Sequence, residues 1–97
     1  MRFFLHDEAD AELDAAVAFY ESCRPGLGLD FAEEVYRSIQ LACEYPAAGA
    51  SVSSRLHQRL VRRFPFSVVY ENTGSAIHVI AIANQRRRPR YWRHRTN

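Results

Sequence analysis

Apolar residues return every three or four positions at Ala9, Leu13, Ala16, Val17 and Tyr20, with Asp10, Asp14 and Glu21 on the far side. That spacing predicts an amphipathic helix. Ahead of it, Arg2 to His6 reads as a short apolar strand ended by Asp7. Asp7 is suited to cap the helix, and Glu8 and Asp10 complement the positive end of its dipole. The breaker cluster Pro25-Gly26-Leu27-Gly28 stops the helix near Cys23 and Arg24. A second helix is expected from Asp30, with Glu33 completing a capping-box variant. Its inner stripe is Phe31, Val35, Ser38, Ile39 and Ala42, and Tyr45-Pro46 ends it. Two helices joined by so short a loop form an antiparallel hairpin.

Residues 47 to 54, AAGASVSS, are small and polar and read as a connection. Beyond them the period drops towards two. Leu56, Leu60 and Phe64 fall on one side of an extended segment together with Arg62, and His57, Arg59, Val61 and Arg63 fall on the other. Pro65 has no N–H to give to a ladder, so a bend or strand junction belongs there. Ser67 to Glu71 and Ala76 to Ala83, joined by Asn72-Thr73-Gly74-Ser75, predict a β-hairpin. Its second strand, AIHVIAIA, is apolar on both faces except at His78, as a central strand covered by helices would be. The order strand, helix, helix, three strands makes an α+β fold. With 97 residues the chain reads as one domain, 1–97, with a single core.

Charge changes this picture by dividing the chain in two. Residues 1 to 54 carry three arginines against ten acids, a net of −7, whereas residues 55 to 97 carry ten arginines against one acid, Glu71, a net of +9. Such polarity presents a basic surface to polyanions or to an acidic partner. All thirteen basic residues are arginine. Arginine suits planar, bidentate anion recognition, although GC-rich coding would produce the same bias. The amino terminus reaches acids by Asp7 without an apolar signal core, and no run approaches the roughly 18 to 20 apolar residues of a membrane span. A cytoplasmic protein that does not engage a membrane is therefore expected, with Cys23 and Cys43 as buried small hydrophobes rather than a disulfide.

Motifs for catalysis, cofactors or metals are missing: there is no phosphate-cradling glycine loop, no HExxH and no GxSxG. His6, His57 and His78 are dispersed, as surface or sheet histidines are. The helical acids read as a solvated scaffold face. What remains is a basic sheet edge of Arg55, Arg59, Arg62 and Arg63 with Arg86, Arg87, Arg88, Arg90, Arg93 and Arg95, interleaved with Tyr91 and Trp92. Arginines neutralise phosphates and aromatic rings stack on bases. RNA cleavage would further require a group to deprotonate the 2′-OH and one to protonate the leaving oxygen. Tyr91 or His94 could move a proton, but no carboxylate or histidine is placed as a base. A solvated basic tail with Tyr91 and Trp92 docked on the sheet is the plainer alternative.

Three stretches, AELDAAVAFYESCRPGLGLDFAEEV, RRFPFSVVYE and AIANQRRRPRYW, together spanning most of the chain, resemble the RelE/ParE superfamily of toxins from bacterial type II toxin-antitoxin modules. The resemblance implies an N-terminal strand and helical hairpin packed on one face of a small antiparallel β-sheet. It also implies growth inhibition relieved by a cognate antitoxin. That antitoxin would be a small protein whose acidic C-terminal segment lies over the helices and the basic sheet, and operator DNA would be met only through it.

Two targets are known in such a superfamily. ParE-like members poison DNA gyrase, and RelE-like members cut mRNA on the ribosome with arginines of the central strands and a C-terminal tyrosine. On the second reading Arg62, Arg63, Arg86, Arg88 and Tyr91 are the catalytic candidates. On either reading Arg59, Arg87, Arg90, Trp92, Arg93 and His94 would bind the target. Ser67 stands where the RelE-like pattern has an arginine, and Asn84 stands where a His precedes the xRRxPxYW motif typical of ParE-like sequences, so an imidazole for acid-base chemistry is lost there. Both departures favour the ParE-like branch, with ribosome-dependent cleavage as the alternative and a non-toxic basic binding module as a third reading. Neither mechanism calls for a cofactor or a metal.

Overall fold

In a computed structural model that describes residues 1–96, helix α1 (Asp7–Cys23) and helix α2 (Leu27–Glu44) form the expected hairpin. They pack on one face of a five-stranded sheet made of β1 (Arg2–Leu5), β2 (Ala50–Ser51), β3 (Leu56–Leu60), β4 (Phe66–Asn72) and β5 (Ala76–Asn84). The predicted stripes are the buried ones: Ala9, Leu13 and Ala16 on α1, and Phe31, Val35, Ser38, Ile39 and Ala42 on α2. Both helices begin differently from the sequence expectation. His6, not Asp7, caps α1, its Nδ1 accepting the Glu8 N–H at 3.1 Å. Helix α2 starts at Leu27 rather than Asp30, because Gly26 takes φ +89° and turns the chain straight into it.

Glu21 also leaves the solvated role expected of it. Its carboxylate accepts the Gly26 N–H at 3.1 and 3.0 Å and the Gly28 N–H at 3.0 Å. One acid at the end of α1 thereby satisfies two donors at the start of α2, where the helix dipole also favours negative charge. The helices meet so closely there that a Cβ on Gly28 would stand 2.6 Å from the Val17 carbonyl oxygen.

The strand order is β1-β5-β4-β3-β2. β1 runs parallel to β5, with Arg2 opposite Ala76 and Leu5 opposite Val79, and the other pairs are antiparallel. The sheet is therefore mixed, with its one parallel pair at the β1–β5 edge. β2 is a two-residue strand inside the segment expected to be only a connection, pairing with Gln58 and His57. Pairing between β4 and β5 passes from Val69–Ala81 to Tyr70–Val79, so Ile80 is an extra residue on β5. That bulge bends the strand and leaves Ile80 and Ala81 packed in the same cluster.

The core has two layers. Val61, Phe66, Val68, Tyr70, Ile77, Val79 and Ile82 pack against the helices. Leu56, Val69, Ile80, Ala81, Ala83 and Trp92 form a smaller cluster on the opposite face. Tyr20, Phe31, Phe64 and Phe66 meet largely edge to face, with centroids 4.9–6.2 Å apart. This aromatic group pins the turn that carries Arg62, Arg63 and Pro65 to the helices. Cys23 is exposed and Cys43 half-buried, both as free thiols, so Cys23 is not the core residue expected. Among the described residues no helix is long and apolar enough to cross a membrane.

Candidate functional site

The arginine-rich end is folded onto the sheet. After β5, Asn84 Oδ1 accepts the Arg86 N–H at 2.9 Å and the Gln85 N–H reaches the Pro65 carbonyl at 2.9 Å. These bonds bring Arg62 and Arg63 to the same end of the sheet as Arg86, Arg87 and Arg88. The chain then arches across the open face. Arg90, at φ +60°, donates to the Val52 carbonyl at 3.1 Å. Trp92 is only 5% exposed and is packed in the open-face cluster, so its ring is not available as a stacking platform. A short 3-10 turn, Arg93–Thr96, completes the segment.

Glu12 of α1 holds this arrangement. β1 ends at Leu5, opposite Val79, and beyond that point the outer edge of β5 has no neighbouring strand. The Glu12 Oε1 accepts the Ile82 N–H at 3.0 Å, and Arg95 Nη1 donates to the Ile80 carbonyl at 3.1 Å. A carboxylate and a guanidinium thus take the places of a missing strand's acceptor and donor. The same two groups bond each other, Arg95 Nη1 to Oε1 at 2.9 Å and Nη2 to Oε2 at 3.1 Å. Arg95 is further bound by Glu8 at 3.3 Å, and its side chain is 4% exposed. Burial by itself would lower the Arg95 guanidinium, but the hydrogen bonds and charge of Glu12, with Glu8, raise it, so it stays charged.

Tyr91 completes the cluster. Its hydroxyl donates to Glu12 Oε2 in a short hydrogen bond, and the Arg87 guanidinium lies 3.8 Å over its ring. Burial, followed by the hydrogen bond to Glu12 and that residue's charge, pushes the Tyr91 phenol far above the usual tyrosine range. The hydroxyl is thus turned towards an acid that discourages its ionisation.

Two grooves flank this segment. The open-face groove, about 450 Å³, has Gln58, Leu60, Ser67 and Ala83 among its lining, with Arg87, Arg88 and Arg90 alongside. The second, about 320 Å³, is mainly apolar and runs beside α1 past Ala15, Phe19, Tyr20 and Phe66. Asn84, Arg87 and Tyr91 line both, so they form the partition between them. Among the described residues no carboxylate or imidazole lines the open-face groove. Its chemistry is that of guanidinium and amide donors beside an exposed leucine, which suits binding an anionic or amide-rich surface.

The remaining candidates fall outside that groove. Arg59 pairs with Val68, a residue of the helix-side core, so it projects to the other face of the sheet. Its Nε is buried without a partner among the described residues. Arg62 and Arg63 are exposed on their turn, Arg63 at φ +73° with its guanidinium 5.7 Å from the Phe64 ring. Arg86 and Arg93 are exposed, and His94 is held at the surface by Glu8 at 3.4 Å. Among the described residues no group of three His, Cys, Asp or Glu is placed to hold a metal ion. Sequence reasoning missed Glu12. The available signal was its spacing of four from Glu8, along the flank of the buried Ala9–Leu13–Ala16 stripe.

No protein-family model and no curated protein sequence matches the chain. Its fold is shared with a chain of the solved structure described as the chromosomal ParDE TA system from P. aeruginosa. The two superpose with a TM-score of 0.73 over 87% of this chain and 95% of that one, at 22% sequence identity. A likeness at that identity establishes the architecture, two helices on one face of a small sheet, as the one this chain has.

Proposed function

We propose that this chain is the toxin of a type II toxin-antitoxin pair, that it is of the ParE-like kind, and that its target is DNA gyrase. The observation that carries this reading is the composition of the open-face groove: guanidinium and amide donors converge there with no carboxylate or imidazole base among the described residues, while the Tyr91 hydroxyl is committed to Glu12. A surface of that kind binds and does not transfer protons. Ser67 sits in the groove opposite Ala83, where the RelE-like pattern calls for an arginine. The fold shared with the ParDE structure supports the toxin-antitoxin assignment, and a gyrase target implies a cytoplasmic site of action.

Neutralisation follows from charge. An acidic antitoxin segment would gain complementarity along Arg86, Arg87, Arg88 and Arg90 and would cover the groove that faces the target. The test is a paired assay on one purified sample. Gyrase supercoiling should be inhibited and cut DNA should accumulate, while mRNA on ribosomes stays intact. Undisturbed supercoiling at large molar excess would reject the gyrase reading, and codon-specific cuts in A-site mRNA would install the RelE-like alternative in its place. Harmless expression without an antitoxin would leave only a basic binding module.

A further inference from the structure

We infer that Glu12, a residue outside the arginine segment, is the positioning residue that sets Arg87, Arg88 and Arg90 as the wall of the open-face groove. The inference rests on the reading of that groove as the target-binding surface.

The segment from Gln85 to Thr96 has no regular structure before its final 3-10 turn, so its path is decided by where it is tied. At its start it is fixed by Gln85 to Pro65 and by the Asn84 side chain to Arg86. In the middle Arg90 reaches Val52 from an exposed position, a bond that water can replace at little cost. The far end is seated by buried Trp92 and by Arg95, which also reaches the Ile80 carbonyl and Glu8, but most of its side-chain bonds converge on one carboxylate. Glu12 receives the Tyr91 hydroxyl, both η nitrogens of Arg95 and the Ile82 N–H, and Arg87 lies 3.7 Å away. These partners lie on both sides of the Arg88–Arg90 turn. The Glu12 side chain is 15% exposed and that of Arg95 4%, so these charge-assisted bonds are shielded from solvent and hold the segment to a single path.

Arg87 shows how the clamp reaches the groove. Its guanidinium is stacked at 3.8 Å on the ring of Tyr91, whose hydroxyl is anchored on Glu12. The arginine is therefore oriented through the tyrosine. Glu12 need not touch a partner in order to act.

The test compares the full-length protein with Glu12→Gln, which keeps an acceptor for the Ile82 N–H but removes the charge, with Glu12→Asp, and with Tyr91→Phe, which removes one bond without stranding a charge. Backbone hydrogen exchange is followed at residues 86–92 and at Val68, Tyr70 and Ile77 in the core, and growth inhibition is followed on induction in a bacterial host. The expected result is a rise of about tenfold or more in exchange across 86–92 in Glu12→Gln over and above the rise at the core amides, which follow global stability, equivalent to losing one such bond. Glu12→Asp should lie between it and the wild type, and Tyr91→Phe should loosen the same amides to a lesser degree. Growth inhibition should weaken in the same order.

Unchanged exchange at 86–92, or a rise spread evenly over β4 and β5, overturns the inference, the second because it would make Glu12 only a stability residue. A loosened segment that inhibits growth as strongly as the wild type also overturns it. Should the wild type itself be harmless, the toxin reading falls, and the exchange comparison alone then upholds or overturns the positioning role.

Discussion

Glu12 and Arg95 stand 83 residues apart in sequence and meet as a two-pronged ion pair with N–O distances of 2.9 and 3.1 Å. The pair joins the first helix to the last turn of the chain, so the arginine segment belongs to the folded unit and is not a tail. Arg95 is the one arginine of that segment whose side chain is fully withdrawn from solvent, at 4% exposure. Its withdrawal separates arginines that hold the fold from those left to face a partner.

Arg95→Ala should destabilise the protein by about 3–5 kcal/mol, the range for breaking a buried pair by removing one partner. In a chain of this size that lowers Tm by at least about 12 °C. Glu12→Gln combined with Arg95→Met should be less unstable than the sum of the two single changes, since neither charge is then left alone. Urea unfolding of the wild type, Arg95→Ala, Glu12→Gln, Arg95→Met and the double variant checks both statements. A loss below about 1 kcal/mol for Arg95→Ala would place the pair among weak surface bridges.

Tyr91 sets a dependence on alkaline pH. Its folded pKa is raised, chiefly by burial and then by Glu12, while in the unfolded chain it titrates near about 10. The folded state therefore keeps a proton that the unfolded state releases. By linkage, the stability from this group is complete below about pH 10 and is lost as pH rises towards the folded value. Tyr91→Phe should flatten that decline without altering the pH dependence near neutrality. Tyr20 is also raised, by burial and by Cys23, so the difference between wild type and Tyr91→Phe, measured by denaturant unfolding above pH 9, is the informative quantity.

The turn between the helices makes a separate prediction. Glu21 caps Gly26 and Gly28, and a Cβ on Gly28 would press to 2.6 Å from a backbone oxygen that cannot move aside. Glu21→Ala should cost about 1 kcal/mol, as the loss of a cap does. Gly28→Ala should cost more, about 1–3 kcal/mol from overpacking, despite the better helix propensity of alanine. Reversal of that order in thermal melts would mean that the helices separate easily at this point.

The helices and the β4–β5 hairpin were legible because periodicity separates inside from outside, and Phe31, Val35, Ile39, Val68 and Val79 lie where that pattern places them. Periodicity does not name partners. Nothing in RFFL tells that it pairs parallel with AIHV, and a two-residue strand such as Ala50–Ser51 is shorter than one period of any pattern. Glu12 and Glu21 were illegible for a related reason. Each lies on the flank of α1, where a side chain is neither core nor free, and each finds its partners only after the chain has turned. The arginine segment announced its charge but not its path, because Trp92, Arg95 and Tyr91 are fixed by residues of β3, β5 and α1.

Arg88 and Arg59 give the last prediction, because the fold places two arginines of one charge on opposite sides of the sheet. Arg88 is exposed, lines the open-face groove and has no ion-pair partner among the described residues. Leu60, 70% exposed, lines the same groove. Neither contributes to the core, so Arg88→Ala and Leu60→Ala should leave stability within about 0.5 kcal/mol of the wild type. If the groove meets the target, each should weaken inhibition, Arg88→Ala by about tenfold, as expected of a residue worth more than about 1 kcal/mol at an interface. Arg59→Ala should behave in the opposite way, since its half-buried stem packs on the helix-facing side. It should lower stability and leave the inhibition per folded molecule unchanged. The measurements are gyrase supercoiling titrations and urea unfolding of the three variants. Equal inhibition by Arg88→Ala and wild type, with a loss confined to Arg59→Ala, would move the binding surface to the other face of the sheet.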